Sequence, residues 1–507
     1  MYHQINTNMK QRILLLAIAI IGILFPKASN AQWTIDSLPT AQSNLQVVQL
    51  SSKAIFASTG QYEMYDFNTG MFTYSPVSIP RNEMKAVVNS GRAFFGGGVY
   101  GPYTNPVVTN RVDIYNNSTN SWTTTNLSLA RRVGAAEAAG NKVIFAGGKT
   151  VLSYTSRVDI IDVFTGSKIQ ASLSQGRHNM ASASIGSKVI FAGGECGNIG
   201  TPSTSNKVDI YDVNTKTWDT TLLSQKRQYI SSAVVGSKVL FAGGFSTTAL
   251  TNPYSDRVDI YDTITNTWTT ASMSEGKYGM TVAVVGKKVY FVGGVTASSG
   301  NLSSRVEIYN ATTNTWSFVT LSSPRMGMAV AKTTGRLMFA GGVTTWGNVG
   351  TDRIEVLNLK TNQWSVEYLS QPRLGVAAAA KGTNALFVGG AQVWSSYPIY
   401  SIISNRIDKW TDLVPAMKVA NANEQGNEIT VFPNPSSGSS VDIKFEKTVE
   451  NALVSVVDVT GKELISVSPA SEVKELNIDI SRLTSGMYFV IITGTDYRIS
   501  NPLIINH

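Results

Sequence analysis

Seven basic side chains recur through this 507-residue chain at intervals near fifty residues: Arg81, Arg132, Arg177, Arg227, Lys277, Arg325 and Arg373. Cationic groups gathered at one surface would hold carboxylates or phosphates through charge-assisted hydrogen bonds. A second series keeps the same period: Arg111, Arg157, Lys207, Arg257, Arg305, Arg353 and Arg406. Each of these has an acid two positions on, as in Arg111 and Asp113 or Arg305 and Glu307. Residues so spaced share a strand face, so the second series reads as ladders of structural ion pairs. The first series lacks regular acidic partners and stays open between scaffold and ligand contact.

Other reactive groups are scarce. The single cysteine, Cys196, cannot form an internal disulfide and reads as a small loop residue. Outside the first thirty-one positions the histidines are His178 and His507, too few for a His-rich metal site or most His-based nucleophile arrangements. His178, beside Arg177, is a potential acid or base, and the plainer reading is a hydrogen-bonded bystander. No cofactor is expected. The formal charge of +9 includes Lys10, Arg12 and Lys27 of a segment read below as a leader. No cationic run is interleaved with aromatics, so no nucleic-acid partner is expected.

The elements that must position these groups repeat. Gly pairs fall at Gly97 and Gly98, Gly147 and Gly148, Gly193 and Gly194, Gly243 and Gly244, Gly293 and Gly294, Gly341 and Gly342, and Gly389 and Gly390. Each follows a short apolar strand such as Lys188-Val189-Ile190-Phe191-Ala192, the composition of a strand covered on both faces. A strand of the Val208-Asp209-Ile210-Tyr211 type comes next, then a turn rich in Asp, Asn and Thr, then Trp218 seven positions after the Tyr. The offset recurs from Tyr115 to Trp122, Tyr261 to Trp268 and Tyr309 to Trp316. A large aromatic there fills the gap between neighbouring units. After Ile161 the position is Lys168, so that unit should pack less tightly. A period near fifty residues held over this many copies marks an array of one supersecondary unit.

The Gly pair, Tyr, turn, Trp and opening Arg resemble the Kelch repeat family over Gln32 to Thr411. The resemblance implies an all-β Kelch-type β-propeller of four-stranded blades around a channel. Eight blades are favoured, with Ala54-Ile55-Phe56-Ala57 as a degenerate eighth copy. Seven remain possible if the unit around Phe56 is not a full blade. The last copy, Arg406 to Trp410, lacks a Trp strand, and Gln32-Trp33-Thr34-Ile35-Asp36 is one without a partner, so the N-terminal strand should close the ring. In such a blade both basic series lie on one face, together with the long variable loops. Those loops carry Tyr100, Tyr103, Tyr254, Trp346, Trp394, Tyr397 and Tyr400, which could stack on sugars, seat a protein or simply pack the loops.

The ends of the chain read as addresses. Lys10 and Arg12 lead into an apolar run from Ile13 to Phe25 and the small-residue site Ser29-Asn30-Ala31. This is the layout of a signal peptide, residues 1–31, cleaved between Ala31 and Gln32 and leaving no transmembrane span in the mature form. The propeller occupies 32–412, a polar linker 413–428, and a small C-terminal β-sandwich 429–507. The sandwich resembles the C-terminal sorting domain of type IX secretion substrates in Bacteroidota. The resemblance rests on Val-Phe-Pro433-Asn434-Pro435, the hairpin at Thr460-Gly461-Lys462 and the run Leu-Thr-Ser-Gly486-Met-Tyr-Phe-Val. It implies passage through the periplasm to the outside or the outer cell surface, with the type IX machinery as partner. The combined reading is a monomeric binding or adhesion protein for an extracellular glycan or protein, leaning away from an enzyme. The alternative is a secreted sugar-modifying enzyme of the sialic acid epimerase type. Arg177 with His178, or Arg227 with Glu275, would then serve as carboxylate anchor and acid or base.

Overall fold

The computed structural model describes residues 31–43, 45–102, 104–249, 252–296, 301–344, 349–392, 402–412, 429–449, 452–458, 463–469, 472–493 and 498–506. All of the expected leader except Ala31, the linker, Tyr103, Trp346, Trp394, Tyr397, Tyr400 and Gly461 lie outside them. Regular structure in the described residues is β throughout, and no helix there is long and apolar enough to cross a membrane. The chain divides into two compact units, Ala31–Asp412 and one containing Leu413–His507.

Among the described residues the first unit forms eight four-stranded antiparallel sheets. In chain order they span 46–76, 85–126, 135–172, 181–222, 231–272, 281–320, 329–373 and 377–412, the last joined by Ala31–Ser37. Ala31–Ser37 pairs with Arg406–Asp412, setting Trp33 opposite Trp410. The two rings lie edge to face at 6.5 Å, and the Trp33 indole N–H donates to Glu367 at 2.8 Å. The first strands of successive sheets touch in order, and that of the eighth sheet touches that of the first.

Burial within each sheet follows composition. In the second strand of the third sheet, Val143, Ile144, Phe145 and Ala146 are all fully buried because neighbouring sheets cover both faces. The fourth strands lie outermost and are largely exposed, their Trp residues half-buried. Trp218 stacks on Phe191 at 6.4 Å and tilts against Tyr211 at 4.9 Å, within a core shared by the third and fourth sheets. In the third sheet Lys168 stands opposite Ile161, and its ammonium caps the Asn126 carbonyl at 2.8 Å instead of filling that gap. Glycine is required where strand two meets the base of the loop. Gly148 has φ +124°, and a Cβ there would lie 2.1 Å from the Arg132 carbonyl oxygen.

The second unit packs a three-stranded sheet, Ile429–Phe432, Ser440–Val449 and Val473–Asp479, and a four-stranded sheet, Glu463–Val467, Leu453–Asp458, Gly486–Thr493 and Arg498–Ile505. One apolar core joins them, with Ile443, Val454, Val456, Ile480, Val490, Ile492 and Leu503 fully buried. The Pro433-Asn434-Pro435 turn turns Asn434 onto the last strand. Its amide donates to the Pro502 carbonyl at 2.7 Å and its oxygen accepts from the Ile504 N–H at 2.9 Å.

Candidate functional site

The first basic series does not face solvent. Arg81, Arg177, Arg227, Lys277, Arg325 and Arg373 are at most 1 % exposed. Each holds a buried acid of the sheet it leads into: Asp113, Asp209, Asp259, Glu307, Glu355 and Asp408, respectively. Arg373 also donates to the carbonyls of Gly389 and Arg406, both at 2.8 Å. It therefore pins the base of a loop to the third strand. The same acid usually takes a backbone N–H from the preceding turn, as Asp259 does from Ser224 at 2.8 Å. Burial pulls the Arg227 guanidinium down to about 10 against the opposing pull of Asp259, and it stays charged at neutral pH.

Three expectations are thereby corrected. The anion-binding ring fails for these six residues, because their cationic heads are spent inside the sheets. In the third sheet the member of the series is Arg131, fully buried on Asp159 at 2.9 Å, and not Arg132. The acids two positions after Arg111 and its equivalents are held by the incoming-loop residue: Asp113 binds Arg81, while Arg111 reaches outward to Thr124 at 3.2 Å. Neither proposed catalytic pairing assembles. Arg177 is sequestered on Asp209 away from solvent, and Glu275 pairs with Lys277 at 3.2 Å and not with Arg227.

Apart from the buried Gln228 and Val133, the residues one and two positions after each buried cation reach the surface. Asn82, Arg132, His178, Gln228, Tyr278, Met326 and Leu374 each bridge to the residue following a Gly pair: Val99, Lys149, Glu195, Phe245, Val295, Val343 and Ala391. The third and fourth sheets thus supply a charged sector, joined by Glu83 and Lys85 at the start of the second, the fifth and sixth an aromatic one, and the seventh and eighth an apolar one. At the next position Gly279, Gly327 and Gly375 have positive φ, and so do Glu83, Asn179 and Tyr229 at 56°, 49° and 52°. A bulky residue in the left-handed region is held there against its own preference. Tyr229 is 47 % exposed. Its ring lies 5.7 Å from Tyr278, which stacks on Tyr254 at 5.8 Å with Phe245 edge-on to both. A cavity of about 390 Å³ opens beside Tyr254, lined also by Lys226 and Asn252.

His178 has a buried Nδ1 without a hydrogen-bond partner. Burial, then the charges of Lys85, Lys149 and Arg132, push its pKa down to about 4, so it is neutral at neutral pH. Cys196 is buried in the hairpin beside it, and burial raises its thiol pKa. The inner wall holds a cavity of about 370 Å³ lined by the first strands of the second to fifth sheets. There the Glu137 carboxylate accepts from the hydroxyls of Ser182 and Ser184 at 2.8 and 2.7 Å. Burial raises the Glu137 pKa, and those two bonds oppose the shift. No group of three or more His, Cys, Asp or Glu that could hold a metal occurs among the described residues.

The sequence reading missed Tyr229, Tyr278, Lys85, Lys149 and Glu137. The signal for the first was a non-glycine where three other repeats carry Gly.

Two family models match the chain. One, described as the KLHDC2/KLHL20/DRC7 Kelch-repeats domain, covers residues 177–390, and the secretion system C-terminal sorting domain covers 430–506. No curated protein matches. Among solved structures, one described as "Structure of YjhT" is 16 % identical with a TM-score of 0.38, over 55 % of this chain and 95 % of that one. With its four-stranded sheets and its C-terminal sandwich, the chain is a Kelch-repeat β-propeller protein carrying a type IX secretion C-terminal sorting domain.

Proposed function

We propose that this secreted Kelch propeller is a carbohydrate-binding protein that seats a glycan on the tyrosine platform of its loop-bearing face. The ring is read as eight blades closed by the mature N-terminal strand, with residues 1–31 removed as a leader and 413–428 serving as linker. Tyr229 carries the reading. An aromatic ring held exposed in a left-handed backbone, in line with Tyr278 and Tyr254, offers sugars a flat apolar face that packing alone does not require. The enzymatic alternative gains no support, since the arginines it needs are buried on their own acids.

Screening the secreted full-length protein on a glycan array should yield binders whose affinity falls about tenfold in Tyr229→Ala, a loss of ~1.4 kcal/mol. Unchanged binding in that variant would move the site elsewhere. Accelerated anomerisation of sialic acid in proton NMR would favour the enzyme instead. Export rests on the sorting domain: deleting Ile429 to His507 should leave the propeller inside the envelope, and normal extracellular yield would overturn that.

A further inference from the structure

Resting on the glycan reading, we propose that the charged sector of the loop-bearing face is a seat for an anionic substituent of that glycan, a carboxylate or sulfate ester, held by Lys85, Lys149 and Arg132.

These cations differ from the buried series in having little to neutralise them. Lys85 opens the first strand of the second sheet, where the other first strands carry Gln46, Ala135, Ala181, Ser231, Thr281, Ala329 and Ala377. Among the described residues its ammonium has no hydrogen bond or ion pair, and burial lowers its pKa while nearby Glu83 opposes the shift. An ammonium that is both desolvated and unpaired binds an incoming anion more strongly than one in open water. Lys149 also lacks an acidic partner, its ammonium lying 5.4 Å from the centre of the Tyr154 ring. Its backbone is locked to Arg132 by two bonds of 2.9 Å, which fixes where both side chains start. Arg132 contacts Glu83 at 3.2 Å, through side chains 29 % and 49 % exposed, an exchangeable surface pair.

The three belong to one patch: Arg132 reaches Glu83, two residues before Lys85, and its backbone pairs with that of Lys149. All three charges add to burial in lowering the pKa of His178, whose buried Nδ1 has no hydrogen-bond partner. Glu83 and Glu195 are the facing acids, so the cations hold the majority. Of the seven bridging pairs only Arg132 with Lys149 is cationic, while those of the fifth to eighth sheets carry no charge, so the positive field lies on one side of the face. The sector also adjoins the platform: the Asn179 amide donates to the Tyr229 hydroxyl at 3.2 Å and approaches Glu195 at 3.5 Å. A sugar stacked on Tyr229 can thus present a ring substituent towards His178.

The test uses the full-length secreted protein with oligogalacturonate, its methyl-esterified neutral form, and sulfated dextran against dextran. The acidic member of at least one pair should bind about tenfold or more better than its neutral partner, with affinity falling as salt is raised. Lys85→Gln and Lys149→Gln should each remove most of that advantage without shifting the thermal midpoint, whereas Lys360→Gln in an outer turn should not. Preference for galacturonate names a carboxylate, and preference for sulfated dextran names a sulfate ester. Equal binding of acidic and neutral glycans, still lost in Tyr229→Ala, would overturn the anion seat and leave the glycan reading standing. Binding of none of these glycans, or equal competition by polyglutamate, would overturn the inference as a statement about sugars.

Discussion

The first sheet and the seven that follow solve the same problem in different ways. In the seven, strands two and three are separated by a Gly pair and a loop of variable length, and a buried Arg or Lys pins the loop base to an acid on strand three. In the first sheet the pin is missing. Gln42 occupies the place of the cation, its carbonyl accepting from the Gly390 N–H as that of Arg131 does from Gly98. Ser58 and Thr59 stand where the glycines would be, and a tight turn replaces the loop. Ser58 closes that turn itself, its N–H and hydroxyl both meeting the Gln61 carbonyl, at 3.0 and 2.8 Å. The pin is therefore the device that lets a sheet carry a long loop without opening. Where no loop is inserted, local hydrogen bonds suffice.

Breaking a pin should have the largest effect. Arg227→Met strands the Asp259 carboxylate in the interior and frees the carbonyls of Gly243 and Arg257, which the guanidinium holds at 2.5 and 2.7 Å. Removing one partner of a buried pair costs about 3–5 kcal/mol, readable as a lowered midpoint in guanidinium chloride unfolding. Arg227→Lys should lose less, since Lys277 does the same work in the sixth sheet. Equal losses in both variants would mean that the charge matters less than the fork of hydrogen bonds.

This contrast also explains what could be read in advance. The Gly pairs, the apolar second strands and the Tyr-to-Trp offset reveal the repeat because their requirements are local: backbone room, burial on both faces, a cross-strand neighbour. The pairing of Arg177 with Asp209 was hidden. Lys207, two positions from that acid, looked the better partner by strand alternation, and only the inward path of the incoming loop brings the distant arginine to it. Arg131 and Arg132 are adjacent, so periodicity alone could not say which is buried. The mouth residues Glu83, Asn179 and Tyr229 were visible only by aligning the repeats on one another, where they break a column of glycines.

The smaller effect tests the sheet without a pin. Glu63 occupies the position of the paired acids and is fully buried, yet no cation meets it; Gln61 donates to one oxygen at 3.1 Å and the other has no partner. Burial raises its pKa to about 7, with the Gln61 bond opposing. The folded state therefore favours the protonated acid more than the unfolded chain does. Below the ordinary value of 4.5 both states are protonated and the group is neutral in its effect. As the pH climbs from there towards 7, unfolding releases a proton and stability falls, levelling off above. Glu63→Gln, which keeps the shape and removes the charge, should leave stability at pH 4 unchanged. It should raise stability at pH 8 by up to about 3 kcal/mol, flattening the pH dependence of the unfolding midpoint. An identical pH profile in the variant would mean that the first sheet has found a partner for its carboxylate after all, and that the distinction between pinned and unpinned sheets is one of loop length alone.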